Sequence, residues 1–308
     1  MKTLKTILFA TDLLPASREA GDAAVQLASA FGSQVTILHV LEPVPLWPAA
    51  LPACQERAAG LLHEFAGQLG AQKVDVAEPA IAVGAIADAV IQKAHEIDAN
   101  LILIGAGELS RFDRYSMGPV AAAVVQHAPQ PVLAIRPGGP EARFQKILCA
   151  VDHSAPAARG LQNAVRLTRA FGGKLIVLTV VPAAAPEIAG EASGQSADVQ
   201  TQFESLWHGE FAKALAESDL ADIDVTKEVR RGVAHREIIT AAEEHQADLI
   251  VMGATGRTGL ARLLERTWLA CQDAETIVYS YIGIGGYHVA EKLGVPCFMA
   301  ATVPGLAP

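Results

Sequence analysis

The chain has 308 residues, with 33 acidic and 24 basic side chains, four cysteines and 51% hydrophobic residues. Such a length suggests about two domains of roughly 150 residues each. With 19% charged and 5% aromatic residues, the composition predicts cores of Ala, Val, Leu and Ile and excludes a disordered chain. The net charge of −9 argues against a surface built to neutralise nucleic-acid phosphates. Cys54, Cys149, Cys271 and Cys297 form no CxxC pair, so ordinary buried thiols are expected, with no disulfide framework or zinc site. No apolar run reaches the roughly 18 residues that span a bilayer. The opening Met1–Lys5 leads straight into a strand-like run with no signal-peptide pattern, so a cytoplasmic location and no membrane are expected.

In chain order, the first predicted strand is Ile7–Ala10, inside KTILFATD (5–12). Ser17 is read as the N-cap of an Ala/Leu-rich amphipathic helix that closes on AFG (30–32). Val35–Val40 is the second strand, followed by a stretch with helical spacing and a weaker strand, Lys73–Ala77. The helix after Gly84 leads to Leu101–Ile104, and Leu133–Arg136 is the last strand before the Pro/Gly-rich linker at 136–140. The order then repeats. QKILCAVD (145–152) and AFG (170–172) lie 140 positions beyond their first copies, and QADLIVMGA (246–254) lies 148 beyond DANLILIGA (98–106). The second copy has therefore gained eight residues between its second and third strands. Its strands are expected at Ile147–Val151, Leu175–Val181, Asp224–Val229 and Leu249–Met252, with Ser154 as the N-cap after the first. Short β-branched and Leu runs alternating with helices predict a doubly wound α/β fold in each repeat. Each sheet is then parallel and flanked by helices, with its ligand beyond the carboxyl ends of the strands. The domains are placed at 1–138 and 144–308.

One loop carries chemistry. GATGRTG (253–259) follows a buried strand and precedes a helical run, Leu260–Leu269. Its glycines permit positive φ, and its amides with a helix N-terminus can hold an anion, with Arg257 and Arg262 adding charge. Tight packing also calls for glycine at such a turn, and both readings stand.

The Asp-ended first strands, DLIVMGATGRTGLARLL and the tandem arrangement resemble the universal stress protein family over residues 1–265. The resemblance implies Rossmann-like domains of strand order 3-2-1-4-5, dimers or tandem pseudo-dimers, and in many members ATP, with or without magnesium. It implies a nucleotide pattern of Gly, two residues, Gly, nine residues, then Gly and Ser or Thr. The second copy supplies Gly253, Gly256 and Thr267 but has Arg266 at the third glycine, a side chain that either obstructs the phosphates or offers them a guanidinium. Carried over by position, Asp152 lies near the adenosine end with His153 and Ser154 beside it. Leu178–Val180, including Thr179 and Val180, lies near the base, and Arg257, Arg266 and Thr267 lie near the phosphates. His153 is read as a loop residue, not as a catalytic base. The first copy has Glu108 and Pro119 where a glycine and a Ser or Thr belong, so its nucleotide site is expected to be degenerate.

The counterpart of HAPQPVLAIRPG is missing after residue 274, and Thr267–Pro304 instead resembles a fragment of the N-terminal domain of sterol-type glycosyltransferases. Glu275–Tyr281 and Pro296–Ala300 read as strands and Tyr287–Leu293 as a helix, able to replace the missing last strand. His288 reads as a helix-surface residue. Arg230-Arg231 and Glu243-Glu244 read as solvated faces, and Phe203 and Trp207 as core. The primary expectation is a non-enzymatic stress-response regulator that binds adenine nucleotide. A scaffold of the same fold without nucleotide is the alternative, and a slow ATP hydrolase or glycosyltransferase-derived fusion is the third reading. Expected partners are the nucleotide, the other repeat of the same chain and a second copy of the chain.

Overall fold

The computed structural model describes residues 4–14, 17–43, 48–106, 118–135, 143–152, 154–182, 196–253 and 297–299. The first repeat runs β1 (Thr6–Ala10), α1 (Arg18–Phe31), β2 (Gln34–Leu41), α2 (Leu51–Gly70), β3 (Asp75–Val76), β4 (Ala80–Val83), α3 (Ile86–Glu96), β5 (Leu101–Gly105), α4 (Pro119–His127) and β6 (Val132–Ile135). The second runs β7 (Lys146–Ala150), α5 (Ala155–Phe171), β8 (Lys174–Pro182), α6 (Ser196–Ala216), β9 (Asp224–Gly232), α7 (Ala234–His245), β10 (Leu249–Met252) and β11 (Cys297–Met299). All strands join one sheet of order β3-β2-β1-β5-β6-β11-β10-β7-β8-β9, with β4 continuing the edge beside β2. Within each repeat every pairing is parallel, and the order is the expected 3-2-1-4-5.

The two halves meet antiparallel. Strand β11 pairs parallel with β10 and antiparallel with β6, through Cys297↔Ala134, Phe298↔Leu133 and Met299↔Val132. A short piece of the atypical tail thus takes the fifth place that the repeat itself leaves empty. The other predicted tail elements, 275–281 and 287–293, lie outside the described residues. On one sheet face Phe31 and Phe171, the same position of the two repeats, meet edge to face at 6.4 Å, and Phe144 lies against Phe171 at 4.7 Å with the rings tilted by 36°. Aromatic pairs of this geometry add to the area that they bury. Each Phe precedes the glycine of an AFG triplet. Gly32 (φ 65°) and Gly172 (φ 61°) adopt the left-handed conformation that ends α1 and α5, where a Cβ would be strained.

Helices α1, α2, α5 and α6 cover one face and α3, α4 and α7 the other. The strand residues therefore alternate between two continuous apolar layers, as a doubly covered parallel sheet requires. Four sequence readings need correction. The third strand of the first repeat is two pieces, because Pro79 lacks an N–H for the ladder. Ser17 makes no side-chain cap; its hydroxyl donates to Asp12 Oδ1 instead. Cys54 is exposed, on the outer face of α2, while Cys149 is buried in β7, where burial raises its thiol pKa far out of reach. Arg230 is no solvated charge: its side chain is 14% exposed and is clasped by Glu228 (2.6 Å) and Glu244, with Glu237 at 3.9 Å. Burial alone would raise the Glu228 pKa, but hydrogen bonds from His245 and Arg230 outweigh it and hold the carboxyl below its usual range.

Candidate functional site

In each repeat the strand order reverses between the first and fourth strands, the place where ligands of open α/β sheets bind. In the second repeat this point lies between β7 and β10. Asp152 follows β7, and its Oδ1 accepts the Ser154 N–H at 3.1 Å. Ser154 is extended (φ −82°, ψ 155°), and its Oγ accepts the Ala157 N–H at 3.2 Å, so it caps α5 as expected. Gly253 follows β10 against the same turn. A Cβ there would lie 2.6 Å from Ala157 N and 3.0 Å from Ala157 Cα. Close packing on α5 therefore suffices to require this glycine, with or without an anion nearby. Asp152, Ser154 and Gly253 thus converge on the first turn of α5.

Val180 and Thr179 leave the second strand on opposite faces. Val180 joins the layer that contains Ile238 of α7 and Met252 of β10. Thr179 is fully buried on the α6 side, donating to Val151 O at 2.9 Å and accepting the Trp207 indole N–H at 2.8 Å. Its hydroxyl is committed to the core, so this residue offers a ligand its main chain alone. Trp207 is core, as expected, but its hydrogen bond to Thr179 was not foreseeable from a four-residue spacing with Phe203. His153, Gly256, Arg257, Arg266 and Thr267 lie outside the described residues. Sequence reasoning passed over His235, in the first turn of α7. It is 6% exposed and neither ring nitrogen has a hydrogen-bond partner, and burial, with the nearby Arg236 charge, pushes its pKa down to about 4. Its counterpart in the first repeat, 148 positions earlier, is Ala87.

The crevice of the first repeat is a cavity of about 350 Å³. Leu38 and Val40 of β2, Ile86 and Val90 of α3 and Ile104 of β5 form its walls, and Asp12 and Ser17 its polar end. Asp12 Oδ1 accepts the Leu14 N–H at 2.9 Å and the Ser17 hydroxyl. Among the described residues no group of three His, Cys, Asp or Glu side chains is placed to hold a metal, and no helix is long and apolar enough to cross a membrane.

Comparison with known proteins adds what geometry alone does not. A universal stress protein of Thermus aquaticus is 31% identical over 138 residues, covering 43% of this chain and 98% of that protein. Another, from Methanocaldococcus jannaschii, is 27% identical over 121 residues, 39% of this chain and 71% of the relative. The tail matches a sterol 3-beta-glucosyltransferase of Komagataella phaffii at 44% identity over 45 residues, which is 15% of this chain but 4% of that enzyme. Among solved structures, a universal stress protein of Archaeoglobus fulgidus superposes with a TM-score of 0.67 at 19% identity, covering 97% of this chain and 98% of its own, a likeness of fold. The profile of the Universal stress protein family matches twice, at residues 3–136 and 143–266. With both repeats matched over nearly their whole length, the chain belongs to the universal stress protein family, as a tandem pair of its domains.

Proposed function

We propose that the second repeat binds an adenine nucleotide, ATP with or without magnesium, and that the protein is a non-catalytic, cytoplasmic regulator of the stress response. The observation that carries this reading is the convergence of Asp152, Ser154 and Gly253 at the reversal of strand order. The sequence that follows, from Gly253 to Thr267, carries Arg257, Arg262 and Arg266 against Glu265, a net of +2. In this reading Asp152, with His153 and Ser154 beside it, accepts from the ribose. Val180 and the main chain of Thr179 border the base, and the amides from Gly253 to Gly256 with Arg257, Arg266 and Thr267 meet the phosphates. Arg266, in place of glycine, acts as a donor in a bidentate pairing. The match of the tail to a small fraction of a glycosyltransferase supports no transferase activity for this chain.

Titration calorimetry with ATP tests the proposal. Saturable heat that Asp152→Ala abolishes is expected; no heat at millimolar ATP contradicts it.

A further inference from the structure

We propose that the groove between the edge strand β9 and helix α6 is a docking site for an extended peptide segment, which adds a strand to the sheet and carries an acidic side chain two positions before an apolar one. This goes beyond the reading of the nucleotide site and does not depend on it.

The two edges of the sheet differ. One is broken, with β3 and β4 running for two and four residues on either side of Pro79. The other is β9, nine residues without a proline, in unbroken register with β8 from Asp224 to Gly232. Among the described residues no strand pairs its outer side. The N–H and C=O groups of alternate residues there form a template for another strand.

Beside that edge lies an open groove of about 910 Å³, at the upper end of the range for ligand sites. Phe211, Leu215 and Leu220 give it an apolar floor, and Ala212 and Ala216 leave room above it. Its end wall is the turn from α6 to β9, seven residues (217–223) where four (71–74) join α2 to β3 in the first repeat. Arg169 of α5 braces that turn, donating to Asp219 O and Oδ2 at 3.2 Å and to Ala221 O at 3.1 Å. The groove is thus a product of the longer second repeat. It opens toward the amino end of β9, whereas Asp152, Ser154 and Gly253 gather at the carboxyl ends of the strands.

Charge sets the ligand. Helix α6 descends as β9 ascends, so His208, eight positions before Ala216, and Lys227, three after Asp224, both stand roughly 10–12 Å above the turn. Lys227 is exposed and shares the α6 face of β9 with Val225 and Val229, which pack on the layer of Phe211 and Leu215. The upper end of the groove is therefore basic and its middle apolar. At the lower end Glu217 is exposed and Asp219 is paired with Arg169. Side chains on one face of a strand recur about every 7 Å, which matches the step from Lys227 down to the apolar floor. An antiparallel segment, the more stable pairing per residue, descends beside β9 and meets Lys227 first.

A second copy of the chain is disfavoured. Opposed side chains of an antiparallel ladder share a face, so two copies pair about a single residue of β9. Centred anywhere from Thr226 to Arg230, that pairing opposes like charges: Asp224 to Glu228, Lys227 to itself, Glu228 to itself, Lys227 to Arg231, or Arg230 to itself. The edge is guarded against itself and open to an acidic strand.

The probe is fluorescein-Thr-Glu-Thr-Leu-Thr-Val-Thr-amide, and its binding to the full-length chain is read by anisotropy. Lys227→Glu and Ala212→Trp alter the groove at exposed positions, and their thermal midpoints report folding. Saturable binding below millimolar peptide is expected, weakened at least tenfold by either variant that melts as the wild type does. The peptide with Lys for Glu should regain binding to Lys227→Glu. N-methylation of one alternate set of peptide amides should abolish binding, and methylation of the other set should spare it. The proposal falls if millimolar peptide does not saturate, if both variants leave binding intact, or if neither methylated set loses it. It falls too if the reversed sequence binds as tightly. A wild-type dimer in sedimentation equilibrium that the peptide dissolves would also overturn it, since the occupant would then be a second copy.

Discussion

His235→Leu offers a test whose size follows from the structure. The imidazole is buried in the first turn of α7 with neither nitrogen paired, so its charged form is excluded from the folded state. Its pKa falls from 6.5 to about 4, burial being the main cause and the Arg236 charge the lesser. A depressed pKa means that the unfolded chain takes up a proton first as pH drops. Stability from this group is therefore complete above about pH 6.5 and lost progressively toward pH 4. The full shift would be worth roughly 3 kcal/mol, and solvent near the helix end screens it to about 2 kcal/mol. Leucine fills much of the same volume and cannot titrate. Urea unfolding of both proteins between about pH 7.5 and pH 4.5 should show the variant gaining about 2 kcal/mol on the wild type as pH falls. Other titrating groups are common to both proteins and cancel in the difference. Parallel stability curves would refute the assignment of an unpaired, buried imidazole.

Asp248 works in the opposite sense. Burial raises its pKa to about 6 although it accepts the Gln145 and Lys146 N–H groups at 3.0 Å, so the folded state loses stability as pH rises through that value. In the first repeat Asn100 accepts the equivalent Lys5 and Thr6 N–H groups on its single Oδ1, where Asp248 uses both oxygens, so Asp248→Asn, re-seated as Asn100 is, should raise stability by about 1 kcal/mol near pH 8 and add nothing near pH 4, as read by urea unfolding. Gly253→Ala forces a Cβ onto the backbone of Ala157 and should destabilise by about 1–3 kcal/mol, while Gly105→Ala meets nothing closer than Ser17 Oγ at 4.0 Å and should melt as the wild type does. Thr179→Val leaves the buried Trp207 N–H without its acceptor, at a cost of about 1–3 kcal/mol in chemical denaturation.

The fold was legible because its signals are periodic and repeated. Ile7–Ala10 and Ile147–Val151 are apolar on both faces, AFG twice marks a helix end, and offsets of 140 and 148 locate the insertion. The absence of a second HAPQPVLAIRPG left the tail able to replace the last strand, and Cys297–Met299, within the predicted 296–300 strand, does so. Short-range patterns failed where distant contacts decide. Arg230 looked solvated because the carboxylates that clasp it arrive from the neighbouring helix as well as its own strand. At Thr179 strand alternation turns the hydroxyl toward α6, where it accepts the Trp207 indole N–H, a contact that position along the strand did not reveal. Nor did glycine spacing separate packing from binding at Gly253, whose neighbour Ala157 lies about a hundred positions away in sequence. The cavity of the first repeat was hidden for a different reason. Glu108 and Pro119 bear on phosphate contacts and carry no information about the apolar walls, which come from three separate elements, β2, α3 and β5.

The division of labour between the repeats is best tested by nucleotide stoichiometry. Equilibrium dialysis with labelled ATP should find one nucleotide per wild-type chain, one in Asp12→Ala and none in Asp152→Ala. Two nucleotides per chain, or loss of binding in Asp12→Ala with retention in Asp152→Ala, would contradict the account.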